Sequence, residues 1–308
     1  MRKRTRATGN CAFCGRRDSL TYEHATPKWL GKFIHEHFPP ENRWEQVAIS
    51  FGTDRERAQS TKLIQSASPH KAAVVCGECN NGWMRRLEDA VRPILRPLIL
   101  GKQSELDDAA IRTVATWATK TALIYEFVQP DDAQPAASAT DRKQLRDHQR
   151  PLPGSGVWLA GYAGSLGAVV MARSTLFVYN LDDEGSVAEP SGLVVTFVYG
   201  RLVLRVALVR SRPTYPTRFA VDQIPGAVML WPDGQSRLTL PVGPALDDVG
   251  LEAFTAMHVA VGEPGGLDRL QRAPGRPVPP ALPQKPPARG TATRRRGPSE
   301  RSTRRHSS

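Results

Sequence analysis

The sequence predicts an α+β protein: a small metal-stapled finger near the N-terminus, a long helix, an antiparallel β-rich domain and a disordered basic tail. Three observations carry this. The only cysteines fall as two Cys-x-x-Cys pairs, Cys11/Cys14 and Cys76/Cys79. The apolar pattern changes from helical spacing in the first half to short β-branched and aromatic runs after residue 157. From Ala273 onward Pro and Arg dominate, a composition that cannot bury a core.

A Cys-x-x-Cys turn lets two thiolates converge on one ion, and two such turns complete a tetrahedral four-thiolate site. Cys11, Cys14, Cys76 and Cys79 are therefore read as ligands of one structural Zn²⁺. The 61 residues between Cys14 and Cys76 exceed the gap in a compact zinc ribbon, so the metal ties together two distant pieces of chain. Disulfides belong to oxidising compartments. The start Met1-Arg-Lys-Arg-Thr-Arg has charge without an apolar run behind it, unlike a secretory signal. With no apolar run long enough to span a bilayer, the expectation is a cytoplasmic protein with no membrane partner.

The 308 residues carry a formal charge of +12, concentrated at the two ends. Arg272 to Ser308 holds ten Lys/Arg and one Glu, net +9, and Met1 to Arg6 adds +4, so the remainder is 12 − 9 − 4 = −1. Basic arms around a near-neutral body suit a polyanion such as DNA, and they equally suit a solubilising tail.

The elements follow in order. Residues 1–10 read as a flexible basic arm, 11–100 as the zinc-bound domain, 101–128 as a long packing helix and 129–156 as a linker. Residues 157–265 read as the β-rich domain and 266–308 as the disordered tail. Thr21 and Tyr22 favour a strand after the first cysteine turn. Pro27 opens a short helix with Trp29, Leu30, Phe33 and Phe38 inward, stopped by Pro39-Pro40, with His35 and His37 on its surface. Trp44, Val47, Ile49 and Phe51 suggest a strand, residues 52–62 an exposed loop, and Ala72–Val75 a strand into the second cysteine pair. His70 reads as a surface residue. Asn80 or Asn81 caps the next helix, whose core face is Trp83, Leu87 and Val91, and which Pro93 and Pro97 kink or interrupt. Ser104-Glu-Leu-Asp107 resembles a capping box opening the long helix, in which Lys120 reads as solvated. A short helix is expected near Thr140–His148. Strands follow at Val157–Tyr162, Gly167–Ala172, Thr175–Tyr179, Leu193–Tyr199 and Leu202–Val209, with a hairpin turn at Gly200-Arg201, a turn at Trp231–Gly234 and a last helix within 247–261. The acidic loop Asp182-Asp-Glu184 reads as a solvated turn.

Cys11-Ala-Phe-Cys14, Glu23-His24 and Cys76-Gly-Glu-Cys79-Asn80 together resemble the HNH (His-Me finger) endonucleases, especially the zinc-bearing, endonuclease VII-like kind. Glu23–Leu30 (Glu-His-x-x-Pro-x-Trp-Leu) and Cys76–Met84 (Cys-x-x-Cys-Asn-Asn-Gly-Trp-Met) are similar to strings found in a wider group of bacterial and phage HNH proteins. The resemblance implies a ββα-metal, treble-clef-like finger with the acidic-His pair on a β-hairpin and Asn80 at the helix beyond. It implies His24 as general base, and Glu23 with Asn80 holding a catalytic Mg²⁺ or Mn²⁺. The chemistry is coherent: a neutral imidazole can take a proton from water near neutral pH, and a hard divalent ion takes oxygen ligands. Lys28, Arg85 and Arg86 would contact DNA. Endonuclease VII-like enzymes act as dimers, so a homodimer is implied, although no dimerisation signal is visible in the chain.

The expected function is thus a metal-dependent DNA endonuclease. The alternative is a catalytically inactive zinc module that binds nucleic acid or protein. A third reading makes the β-rich half the sensor or partner-binding part and the finger a staple; its signature would be an apolar pocket in that half and a buried His24.

Overall fold

The computed structural model describes residues 8–38, 45–51, 58–64, 71–128, 137–165, 168–174, 192–209, 226–232, 235–241 and 243–256. The expected strand at Thr175–Tyr179, the acidic loop, His70, residues 129–136 of the linker and the tail lie outside them.

Part of the expected flexible arm is ordered: Thr8–Asn10 forms β1, paired antiparallel with β2 (Arg17–His24) across the first cysteine turn. β2 also pairs antiparallel with β5 (Lys71–Cys76), giving a three-stranded sheet in the order β1-β2-β5. Between β2 and β5 come α1 (Lys28–His37), β3 (Glu45–Phe51) and β4 (Ala58–Ile64). β4 occupies residues expected to be loop; its polar sequence hid a strand that exists through backbone pairing with β3. α1 starts behind Pro27 and buries Leu30, Phe33 and Ile34, while His35 and His37 are exposed.

β5 leads into a helical turn, α2 (Gly77–Cys79), then a wide turn at Asn80–Met84, then α3 (Arg85–Ile99). The bend falls at Gly82 (φ −89°, ψ −108°), a backbone position for which glycine is suited. Trp83, Leu87 and Val91 are buried as the spacing predicts. Pro93 and Pro97 lie inside α3 and do not interrupt it. They lie one turn apart, and Pro93 and Asp89, whose carbonyl would accept from residue 93, are exposed, so water can satisfy the freed acceptor.

The long helix also begins later than expected. Ser104–Asp107 is a strand, β6, paired with β12 (Arg237–Leu240), and α4 runs from Asp108 to Tyr125. Its cap is Asp107, whose Oδ1 accepts from Ala110 N at 2.8 Å. Every residue of α4 from Val114 to Tyr125 is buried.

The larger sheet has seven strands, and the other five are β7 (Ser155–Gly161), β8 (Ala168–Ser174), β9 (Gly192–Tyr199), β10 (Leu202–Val209) and β11 (Ala227–Trp231). Its order is β11-β7-β10-β9-β8-β3-β4, and all its pairs are antiparallel except β3 with β8. β9 and β10 are joined by a two-residue turn whose first residue, Gly200, has φ +60°. One face of β7, β9 and β10 presents Val157, Leu159, Val195, Phe197, Leu204 and Val206 to the core shared with α3, α4 and the cysteine finger. The opposite face buries Trp158, Ala160, Val198 and Val203 with Leu251 and Phe254 of α6 (Asp248–Ala256). Arg205 is buried on that second face, its guanidinium 5.2 Å from the Phe254 ring centre. α5 (Ala139–His148) opens with a Ser138/Asp141 capping box.

Candidate metal centre

The first cysteine turn is closed by two backbone bonds of 2.9 Å, Cys11 N to Arg16 O and Gly15 N to Cys11 O, with Gly15 at φ +72°. The left-handed residue bends the chain so that Cys11 and Cys14 point at one spot. The second pair is shaped differently. Cys76 caps α2, its Sγ accepting from Cys79 N at 3.5 Å, so its thiolate sits at a helix start where partial positive charge favours an anion.

β2–β5 pairing brings the two turns together: Leu20 lies opposite Cys76. The four Sγ atoms lie within 4.8 Å of one another, with Cys14 and Cys76 at 3.7 Å. Metal–sulfur bonds of about 2.3 Å in a tetrahedron place the sulfurs ~3.8 Å apart, so the cluster has the size of a metal site and is consistent with structural zinc. No disulfide joins them. The hydrogen bond from Cys79 draws the Cys11 thiol down to about 4, and the same contact pushes the Cys79 thiol far up. Sulfurs this close share protons unless a cation lies among them. Four thiolates on a divalent ion leave a net charge of about −2. Arg146 of α5 faces that charge: burial would lower its pKa, but the thiolates of Cys79 and Cys14 and the Asp147 carboxylate raise it above the ordinary value.

The residues singled out beyond the cysteines are placed around β2. Glu23 and His24 are its last two residues. Asn80 is in helical conformation just past Cys79 and does not cap the helix; Cys76 does, because the helix begins three residues earlier than expected. Asn80 Nδ2 donates to Thr21 Oγ1 at 2.9 Å, and Thr21 Oγ1 donates to Val75 O at 2.9 Å. This chain stitches the helix start to both strands and leaves the amide oxygen of Asn80 as its acceptor. His24 is half-buried, with Nε2 inside the fold. Lys28, Arg85 and Arg86 are exposed.

Glu23 is only 6% exposed and meets a partner the sequence reading placed in solvent. Lys120 of α4 is fully buried; its Nζ donates to Glu23 Oε1 at 3.3 Å and to Glu88 Oε1 of α3 at 3.0 Å. The ion-paired unit joins β2, α3 and α4, and its two carboxylates and one ammonium carry a net charge of −1. Burial raises the Glu23 pKa and Glu88 adds to the rise, against the pull of Lys120. Burial opposes the charge of Lys120, yet Glu88 and Glu23 outweigh it and raise its pKa. A carboxylate and an amide oxygen suit a hard divalent ion, and such an ion would share the Glu23 carboxylate with Lys120.

A second arginine of α5 supports the cluster. Arg142 donates to Ala12 O in the first cysteine turn at 3.3 Å, to Ala137 O at 2.7 Å and to Glu126 at 3.5 Å. Lys120, Glu88, Thr21 and Arg142 are thus the residues of this region that sequence reasoning missed. One signal was available for Lys120: it is the only charged residue in the stretch from Val114 to Tyr125, and a lysine in so uncharged a helix calls for a buried carboxylate.

No protein-family model matches the chain, and no curated protein or solved structure matches it. Among the described residues, no helix is long and apolar enough to cross a membrane.

Proposed function

We propose that this chain is a metal-dependent endonuclease of the HNH type, acting on DNA phosphodiesters. In this reading β2, β5 and the helix from Gly77 form the ββα finger, and a structural zinc on Cys11, Cys14, Cys76 and Cys79 holds it. His24 takes the proton of the attacking water, and Glu23 and Asn80 hold Mg²⁺ or Mn²⁺. That ion supplies charge neutralisation at the phosphate and leaving oxygens. Lys28, Arg85 and Arg86 meet the DNA backbone, and the basic tail adds counterion-release affinity. The observation that carries the reading is the Asn80–Thr21 bond of 2.9 Å beside the four-thiolate cluster. It fastens the helix residue to the strand that ends in Glu23 and His24.

One observation favours a second reading, a non-catalytic zinc module for nucleic acid or protein. Glu23 is already bound to Lys120, and Nε2 of His24 lies inside the fold. Supercoiled plasmid incubated with the zinc-loaded protein, with Mg²⁺, Mn²⁺ or neither, separates the two. The nuclease reading expects nicking that needs the added ion and is lost in Asn80→Ala. DNA retention without nicking under either ion supports the second reading.

A further inference from the structure

We propose that Lys120 and Glu88 are positioning residues of the Glu23 site: Glu88 anchors the Lys120 ammonium, and the ammonium fixes the Glu23 carboxylate at the end of β2. The proposal rests on the nuclease reading above.

The argument starts from the cost of the arrangement. A fully buried lysine loses its hydration, and well-packed apolar residues in place of a buried ion-paired unit commonly leave stability equal or better. Lys120 lies in a helix whose neighbours are Thr119, Thr121, Ala122 and Leu123, all buried, so packing alone does not call for a charge. The bonds it makes are long-range, 97 residues to Glu23 and 32 to Glu88. They reach Glu23, the residue that precedes the half-buried His24 on β2. Glu88 is the more exposed partner, with a side chain 21% accessible against 8% for Glu23. The shorter contact is the one to Glu88, 3.0 Å against 3.3 Å. Glu88 therefore acts as the outer anchor, on the helix that also carries Arg85 and Arg86. A ligating carboxylate left free to rotate would bind an ion weakly, and loss of an outer partner of a metal ligand typically lowers affinity or activity by roughly 10- to 100-fold.

The test compares Glu88→Leu with Glu88→Gln in the full-length, zinc-loaded protein. Gln keeps an oxygen that can accept from Lys120 but removes the charge; Leu removes both. Mn²⁺ affinity is read by electron paramagnetic resonance without DNA, and nicking is split into kcat and KM. Zinc content and a cooperative melt confirm the fold, and Glu88→Ala repeats the Leu arm if leucine overcrowds the site. The expected result is Mn²⁺ binding and kcat lowered roughly 10- to 100-fold in Leu or Ala, largely restored in Gln, with KM little changed. Equal losses in Gln and Leu overturn the positioning role in favour of simple charge. Wild-type behaviour in all variants overturns it in favour of a purely structural pair. Wild-type protein that neither binds Mn²⁺ nor cuts refutes the nuclease reading and the positioning role with it. Wild type that does both while the variants match it refutes the positioning role alone.

Discussion

Substituting Lys120 by Met tests the buried ion-paired unit as an energetic object. Methionine matches the lysine stem but leaves Glu23 and Glu88 facing each other in a site with little water. Both carboxylate oxygens lie within bonding range of one nitrogen, so they are no more than about 6 Å apart. At that separation and an effective dielectric of about 20, two like charges repel by roughly 3 kcal/mol. Removing one member of a buried charged pair typically costs about 3–5 kcal/mol. For a folded unit of this size that lowers Tm by about 10 °C. Circular dichroism melts of zinc-loaded wild type and Lys120→Met at pH 7.5 give the number. The pH dependence has a fixed sign. Glu23 has a folded pKa above its unfolded value, so its contribution favours the fold at low pH and is lost as pH rises through the folded pKa. The deficit of Lys120→Met must therefore shrink on acidification from neutral pH toward the ordinary glutamate range. Replacing all three members, Lys120→Met with Glu23→Leu and Glu88→Leu, should recover most of the lost stability. A Lys120→Met variant that melts within about 2 °C of wild type at pH 7.5 would refute the reasoning, since that equals less than about 1 kcal/mol.

Three further outcomes are expected. Chelation of the metal should unfold the finger and expose all four thiols, with one zinc per chain before treatment; binding free energy on the order of 10 kcal/mol is at stake, and thiol titration with a colour reagent counts both states. Arg142→Met should lower stability by about 3 kcal/mol, because it removes the cation paired with the fully buried Glu126 carboxylate, which keeps Ala137 N as a neutral donor, and a donor to the Ala12 carbonyl; denaturant titration reads the loss. Gly200→Ala should cost more than about 1 kcal/mol by the same measurement: its φ is +60°, and a Cβ would stand 2.3 Å from Phe38 Cζ and 2.7 Å from Ile99 O.

Much of the metal centre was legible because cysteine spacing is a local signal with a single geometric meaning. The helices at Lys28–His37 and Ala139–His148 and the strands at Leu193–Tyr199 and Leu202–Val209 were equally legible, since Pro27, apolar periodicity and a Gly-containing turn act within a few residues. What escaped is non-local. Lys120 looked solvated because its two carboxylates come from β2 and α3, far along the chain. β4 looked like loop because its polar residues are strand only through pairing with β3, and β3 in turn joins β8 in parallel across more than a hundred residues of sequence. Ser104 looked like a cap because Asp107, three residues on, offers the better one, while Leu106 turns inward in a strand paired with Leu238. The two prolines of α3 looked like breakers because sequence does not show that Pro93 would face water.

The most direct test of the nuclease account is the single-turnover rate of plasmid nicking by His24→Ala against wild type, both zinc-loaded and supplied with Mg²⁺. The substitution leaves Cys11, Cys14, Cys76 and Cys79 in place, so zinc content should be unchanged. Loss of a general base predicts a rate lower by roughly two to four orders of magnitude with DNA affinity retained. Equal rates in the two proteins, or no cleavage by wild type under any divalent ion, would contradict the assignment of His24 and with it the endonuclease reading.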